Sequence, residues 1–382
     1  MGPPPPSGSH RRGRGLILTQ PDPIADIRTT RLAVPWPEAP LFAADVPELQ
    51  DFLIVEVETA SGMVGMGYLQ PLAGGLKTLA CCVHEMLAPL LVGQEADDVE
   101  ALWDRMWSAT YIQGRMGITV MAMSALDIAL WDLVGKRAGE PLYRLWGGVD
   151  QHIPTYGSGC YRGLGQDGMI RKAERYAADG FSAIKMQVAH MATHDQDVEN
   201  VAAMRAALGT DIEIMVDVNQ GWTAAEAIEV GSRLDESGIY WLEEPVIAHD
   251  FAGYRQVARA LKTRVVGGEN HFTHHDLQPF FDDPCVPILQ PDVMRGGLTE
   301  LKRIAAMAEP LGISIAPHLF PELMTHLLAS IPNGSWLEYM GWHDELWAQP
   351  VVPSGGLTRP PDRPGHGLAF RADVLAEYRV AG

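Results

Sequence analysis

Three acidic residues stand one repeat apart in this chain. Asp217, Glu243 and Glu269 are each 26 residues from the next. Each follows a short apolar run, in IEIMVDVN (212–219), IYWLEEP (239–245) and TRVVGGEN (263–270). If each run and the segment after it make one strand–helix unit, the step sets three carboxylates side by side along one rim. Three neighbouring carboxylates cannot all stay ionised without a cation. Their donors are all oxygen, a hard set that suits Mg²⁺, with Mn²⁺ as its substitute. Glu244 adjoins Glu243, and successive strand residues face opposite ways, so Glu243 is the candidate ligand. Taken singly, each acid reads as a surface or capping residue. The repeated step sets them apart.

Other ionisable residues fall at the same kind of place. Asp292 and His318 are again 26 residues apart. A carboxylate that accepts from one imidazole nitrogen fixes the tautomer and makes the other nitrogen a better base. Glu338 lies in SWLEYM, and Lys185 and Gln187 share a face in AIKMQV. A carboxamide at Gln187 cannot take and return a proton. Gln187, Asn219 and Ser158 are candidate substrate contacts.

The elements that must position these residues form a rhythm. From residue 151, eight β-branched or apolar runs alternate with amphipathic segments. The runs are 153–159, 181–188, 212–219, 239–245, 263–270, 286–293, 312–319 and 335–340. Several of the segments between end in glycine, a helix stop. This predicts an α/β fold, a modified (β/α)7β TIM-type barrel over 151–349, with its site at the carboxyl ends of the strands. An open doubly wound sheet is the alternative, but no glycine-rich phosphate loop follows the first run. Residues 16–150 read as an α+β capping domain, with strands in ADIRTTRLAV, DFLIVEVETA and VGMGYLQ and a turn at Ser61-Gly62. The Pro/Gly-rich stretch 350–382 completes that cap, and residues 1–15 read as a disordered tail.

Composition narrows the partners. The chain has 382 residues, 47% hydrophobic and 20% charged, with a formal net charge of −19. That balance argues against nucleic acid or an anionic membrane as partner. No run reads as a membrane span of about 20 residues, and the first residues lack a signal-peptide apolar core. Cys81, Cys82, Cys160 and Cys285 show no CxxC spacing, as expected of reduced thiols in a cytoplasmic protein.

In order and context, these residues resemble the enolase superfamily and, within it, the mandelate racemase group. The resemblance rests on IMVDVNQ (214–220), WLEEP (241–245), GGEN (267–270), QPDVMRGGLTE (290–300), HLFPELMTHLLASIPNGSWLE (318–338) and the linking segment ALDIALWDLVGKRAGEPLYRLWGG (125–148). It implies Mg²⁺ on Asp217, Glu243 and Glu269, an acid/base dyad of His318 and Asp292 that removes the proton beside a carboxylate, and Glu338 on that carboxylate as it becomes an enediolate, where it must be protonated to donate and so is expected to have a raised pKa. It also makes Lys185 the first lysine of a Lys-x-Lys pair. Gln187 stands where the second lysine, the base of the opposite face, would be. The implied activity is dehydration of a sugar-derived polyhydroxy acid to a 2-keto-3-deoxy acid, with a racemase or epimerase as the alternative. The small-molecule substrate is a carboxylate, and the family implies a homo-oligomer. Capping-domain residues 33–45, with Trp36, Leu41 and Phe42, are expected to shape specificity.

Overall fold

The computed structural model of the chain describes residues 21–38, 47–72, 74–190 and 192–380. The tail expected at 1–15, and Leu41 and Phe42, lie outside the described residues. The amino-terminal part opens with an antiparallel sheet in the order β1-β2-β3. Its strands are β1 (Ile24–Pro35), β2 (Leu49–Thr59) and β3 (Val64–Leu69). The β2–β3 turn falls at the expected Ser61-Gly62, where Gly62 takes a φ of 85° that favours glycine.

Helices α1 (Leu76–Cys81), α2 (Ala88–Leu91), α3 (Val99–Ala109), α4 (Ile118–Ala138) and α5 (Leu142–Leu145) follow. A helix apolar on all sides belongs in an interior, and α4 is one. By length and composition it could cross a membrane, a match that the sequence reading had not found. Most of it is buried in the fold, and its polar residues are used there. Ser124 Oγ donates to the Val293 carbonyl at 2.7 Å, and Asp127 accepts the Thr299 amide at 2.9 Å.

The sheet lies on α4 with no room for side chains at two points. A Cβ on Gly67 would meet the Ala125 carbonyl oxygen at 2.0 Å, and one on Gly65 would meet that of Ala129 at 2.2 Å. Gly67→Ala must push the strand off the helix backbone. Overpacking of this kind costs about 1–3 kcal/mol, so the melting temperature of the variant falls by several degrees. An unchanged melting curve would refute this close contact.

The rest of the chain is the expected (β/α)7β barrel. Its eight parallel strands are β4 (Ile153–Cys160), β5 (Ala183–Gln187), β6 (Glu213–Asp217), β7 (Trp241–Glu243), β8 (Arg264–Val266), β9 (Ile288–Leu289), β10 (Ser314–Ile315) and β11 (Leu337–Tyr339). Between them run α6 (Gly165–Ala178), α7 (His194–Leu208), α8 (Ala224–Leu234), α9 (Phe251–Ala260), α10 (His274–Asp282), α11 (Val293–Ala308) and α12 (Pro321–Leu328). Neighbours pair in the order β11-β4-β5-β6-β7-β8, and β9 pairs β10. Bridges Gly267–Leu289 and Ile315–Gly334 carry the wall from β8 to β9 and from β10 towards β11. The carboxyl-terminal stretch meets the amino-terminal part through the Leu32–Arg379 and Pro141–Gly365 bridges. It also adds β12 (Leu357–Thr358), antiparallel to β4, to the barrel and ends in α13 (Ala372–Glu377).

The barrel interior is filled by Tyr156, Ala183, Met215, Trp241, Val266, Ile288 and Ala316. Side chains two residues on share that inward face. Ser158, Lys185, Asp217 and Glu243 are therefore turned to the axis by the same alternation that buries Tyr156, Ala183, Met215 and Trp241.

Candidate active site

Lys185 sits at the centre of the polar layer. Its Nζ donates to Glu243 Oε1 at 2.7 Å and pairs with Glu338 Oε1 at 2.8 Å, all three side chains being buried. Burial pulls the ammonium's pKa down, but Glu243 and Glu338 outweigh it and hold the pKa well above the usual lysine range. Trp241 Nε1 donates to Glu243 Oε2 at 3.0 Å. Asp217 accepts from the Asn219 amide at 2.8 Å and from its Nδ2 at 2.7 Å.

Burial and the charge of Glu269 raise the Asp217 pKa to about 6, against the pull of Lys185. Burial, then Asp217 and Glu269, raise Glu243 well above the carboxylate range despite Lys185. This is the electrostatic signature of carboxylates that need a cation. Among the described residues, no three acidic or histidine side chains are gathered closely enough to grip an ion as they stand, because Glu243 is turned to Lys185 and Trp241. The donor set nevertheless fits Mg²⁺. All donors are oxygen, and Glu269 Oε2 is buried with no hydrogen-bond partner. Glu244 faces away, accepting from Asn270 Nδ2 at 2.9 Å and Gln220 Nε2 at 3.0 Å.

His318 and Asp292 meet across a parallel bridge, with Nδ1 to Oδ2 at 2.7 Å. Asp292 Oδ1 is fixed by the Met294 amide at 2.7 Å. Asp292 accepts the hydrogen bond from Nδ1–H, so Nε2 is the nitrogen turned to the cavity, 3.7 Å from Glu269 Oε2. Burial alone would lower the His318 pKa. Glu269 and Asp292 reverse that and raise it to about 10, so Nε2 carries a proton as the site stands and would become a base once a cation on Glu269 took up that charge.

Glu338 departs from expectation. Burial pushes its pKa up, but Lys185, His318 and the Leu319 amide, 2.9 Å from Oε2, bring it down to about 2. It is an ionised acceptor here rather than a protonated donor, because the proton sits on the adjacent Lys185.

A cavity of about 720 Å³ opens over this layer. Ser158, Lys185, Gln187, Asp217, Asn219, Glu269, Asp292 and His318 line it, while Glu243 and Glu338 lie behind Lys185. Gln187 Oε1 is buried without a partner. The sequence reading missed Arg162, His190 and Arg295, which also line the cavity. Arg162 Nη2 donates to Asn219 Oδ1, and His190 Nε2 donates to the Asn219 carbonyl at 2.8 Å. Arg295 donates to the Glu269 carbonyl and to Asn270 Oδ1, both at 3.1 Å. Arg162 follows the first barrel strand and could have been found by the strand-end rule had that strand been extended past residue 159. Trp36 is behind the cavity wall, edge-on to Trp342 at 5.1 Å, and Trp342 itself lines the cavity.

The backbone at this rim is unusual. Ala189, His190, Asn219, Gln220, Glu244, Leu319 and Phe320 all have positive φ, between 39° and 64°. Among the described residues they are the only non-glycine ones that do, and all follow barrel strands β5, β6, β7 or β10.

Comparison with known proteins agrees with this architecture. Residues 26–147 match the family model of the mandelate racemase / muconate lactonizing enzyme N-terminal domain, and residues 168–374 match the enolase C-terminal domain-like model. The 3,6-anhydro-alpha-L-galactonate cycloisomerase of Streptomyces coelicolor is 34% identical over 361 residues, covering 94% of this chain and 99% of its own. A racemase from Streptomyces coelicolor A3(2), crystallised with bound magnesium, has a TM-score of 0.89 at 33% identity, over 94% of this chain and 100% of its own. The L-talarate dehydratase from Polaromonas sp. JS666, crystallised with Mg and L-glucarate, has a TM-score of 0.85 at 30% identity, over 94% of this chain and 97% of its own.

Proposed function

The chain belongs to the enolase superfamily, in its mandelate racemase and muconate lactonizing enzyme group, and on that premise we propose that it removes water from a sugar-derived polyhydroxy acid to give a 2-keto-3-deoxy acid. Asp217, Glu243 and Glu269 would hold Mg²⁺, the metal found in solved relatives. When bound, Mg²⁺ supplies positive charge that stabilises the negative charge building on the substrate carboxylate.

The residues of the chain do the rest. Lys185 brings a second positive charge to that carboxylate, and Glu338 holds Lys185 in place. His318, oriented by Asp292, takes the proton from C2 at Nε2, and the pair of electrons moves into the enediolate. The same imidazolium then returns a proton to the C3 hydroxyl as the C3–O bond breaks. Water leaves, and the enol tautomerises to the keto acid. Ser158, Gln187 and Asn219 contact substrate oxygens.

One observation carries this reading: the cavity has a histidine–aspartate dyad but, at the position of a second base, the carboxamide of Gln187. Lys185 is a poor substitute base because Glu338, which is not among the proposed metal ligands, holds it as an ammonium even when a cation takes up the charge of Glu243. That weighs against two-faced racemisation. A ring-opening elimination, favoured by the cycloisomerase relative, needs the same His318 steps with a ring oxygen as leaving group. Semicarbazide detection of keto acid across a panel of sugar acids tests the dehydration. Finding α-deuterium exchange at both configurations in D₂O, without keto acid, sinks it in favour of a racemase.

Gln187→Ala follows as a graded case. Loss of one hydrogen bond to substrate is worth on the order of 1 kcal/mol, so kcat/KM falls roughly tenfold while C2 proton exchange persists. Loss of exchange in this variant would place Gln187 in the proton-transfer step.

A further inference from the structure

The cationic side chains of the cavity differ in how far they are already used. Lys185 is between Glu243 and Glu338, His318 is on Asp292, His190 bonds the Asn219 carbonyl, and Arg295 bonds Glu269 and Asn270. Arg162 is the exception. Its bond is to a neutral amide oxygen, Asn219 Oδ1, and its Nε is buried with no partner. Among the described residues no carboxylate is within ion-pair distance of it. Asp217 and Asp197 are the charges that act on it from farther off. Arg162 is half-buried, and a donor withdrawn from water without a partner, as its Nε is, costs free energy. Such a group persists where a ligand completes it.

The position of Arg162 says which part of the ligand. Asn219, which it grips, lies two residues beyond Asp217, further out from the layer of Lys185 and Asp217 where the reacting carboxylate belongs. We propose that Arg162 binds a second carboxylate at the far end of the substrate, so that the protein selects a sugar dicarboxylic acid over the monocarboxylic acid of the same skeleton. The planar fork of a guanidinium matches a carboxylate in two parallel bonds. A terminal hydroxyl would offer one oxygen and no charge. The cavity of about 720 Å³ has room for a six-carbon chain. The proposal deepens the dehydratase reading and rests on it for the placement of the first carboxylate.

Matched acids that differ only in the oxidation state of the last carbon isolate this contact. Binding of glucarate against gluconate, galactarate against galactonate, and xylarate against xylonate is measured by calorimetry on the Mg²⁺-loaded His318→Asn protein, which binds without turning over and serves as parent for the Arg162 variants. At least one diacid is expected to bind about tenfold to a hundredfold more tightly than its partner, the range for a hydrogen bond to a charged group. Arg162→Met should collapse that ratio to below about threefold, and Arg162→Lys, which keeps charge without the fork, should leave it between the two. No diacid preference in the parent overturns the proposal. So does a preference that survives in Arg162→Met, or an equal loss of both acids, which would make Arg162 a brace for Asn219. Binding is read without turnover, so the two readings fail separately. A diacid preference without keto acid removes the dehydration and leaves the Arg162 subsite standing.

Discussion

His318→Asn abolishes exchange of the C2 proton and turnover together, with losses of about 10²–10⁴-fold or more, the range for removal of a positioned acid/base group. Two steps depend on the same imidazole, abstraction at C2 and protonation of the leaving oxygen. The asparagine can keep a polar contact with Asp292 but has no group that accepts a proton. Mg²⁺ binding should survive, because His318 supplies none of the three proposed ligands. The measurement is deuterium incorporation by NMR, beside keto-acid formation, on a substrate that the parent turns over. Exchange retained in the variant would mean that another group, with Lys185 the first suspect, removes the proton.

Glu269→Gln should be as damaging to activity through a different cause. Its Oε2 is a buried oxygen of the carboxylate set with no hydrogen-bond partner, and a carboxamide there removes one of three charges that attract the cation. Mg²⁺ affinity by calorimetry should fall below detection and activity with it. A variant that binds Mg²⁺ as tightly as the parent removes Glu269 from the ligand set.

Stability without the metal follows from the sign of the shifts. Asp217 has a pKa raised to about 6, and Glu243 and Glu244 are raised well above the ordinary glutamate value, with burial the main cause and Glu269 among the others. A carboxylate with a raised pKa lowers stability as pH rises through its unfolded and folded values, so relief from Glu269 favours the fold near neutral pH. His318 acts the other way. Its pKa of about 10 gives stability that is full below the ordinary histidine value and is lost as pH rises towards 10. Three relieved acids against one weakened imidazolium predict a metal-free melting temperature equal to or above the parent's at pH 7.

The barrel was legible because its strands are apolar runs in regular alternation with helices, and the inward residues were legible because two-residue periodicity needs no tertiary information. Strand lengths were not. The run 286–293 gives only β9, Ile288–Leu289, since Pro287 and Pro291 flank it and neither can donate to a ladder. Pro317 curtails β10 in the same way. The ionisation of Glu338 was misread because its partner Lys185 comes from a strand 153 positions earlier, and no local pattern announces the pairing. Choosing Glu243 over Glu244 was sound as geometry, since alternation puts one of two neighbours inside. That Glu244 is held by Asn270 and Gln220 needed the folded chain.

The seven left-handed residues at the carboxyl ends of the strands have a thermodynamic consequence for binding. Each is in a conformation that costs an L-residue roughly 1–2 kcal/mol, and asparagine less than the rest. The packing of the barrel holds that cost whether or not a substrate is present. Loops with ordinary dihedral angles could relax into many arrangements and would have to be gathered when a ligand arrives, at a loss of affinity. Here the entropy of ordering has already been surrendered on folding at Asn219, which grips Arg162 and Asp217, and at Leu319, whose amide holds Glu338. The substrate meets a rim that is already set, and more of its contact energy remains for the reaction itself.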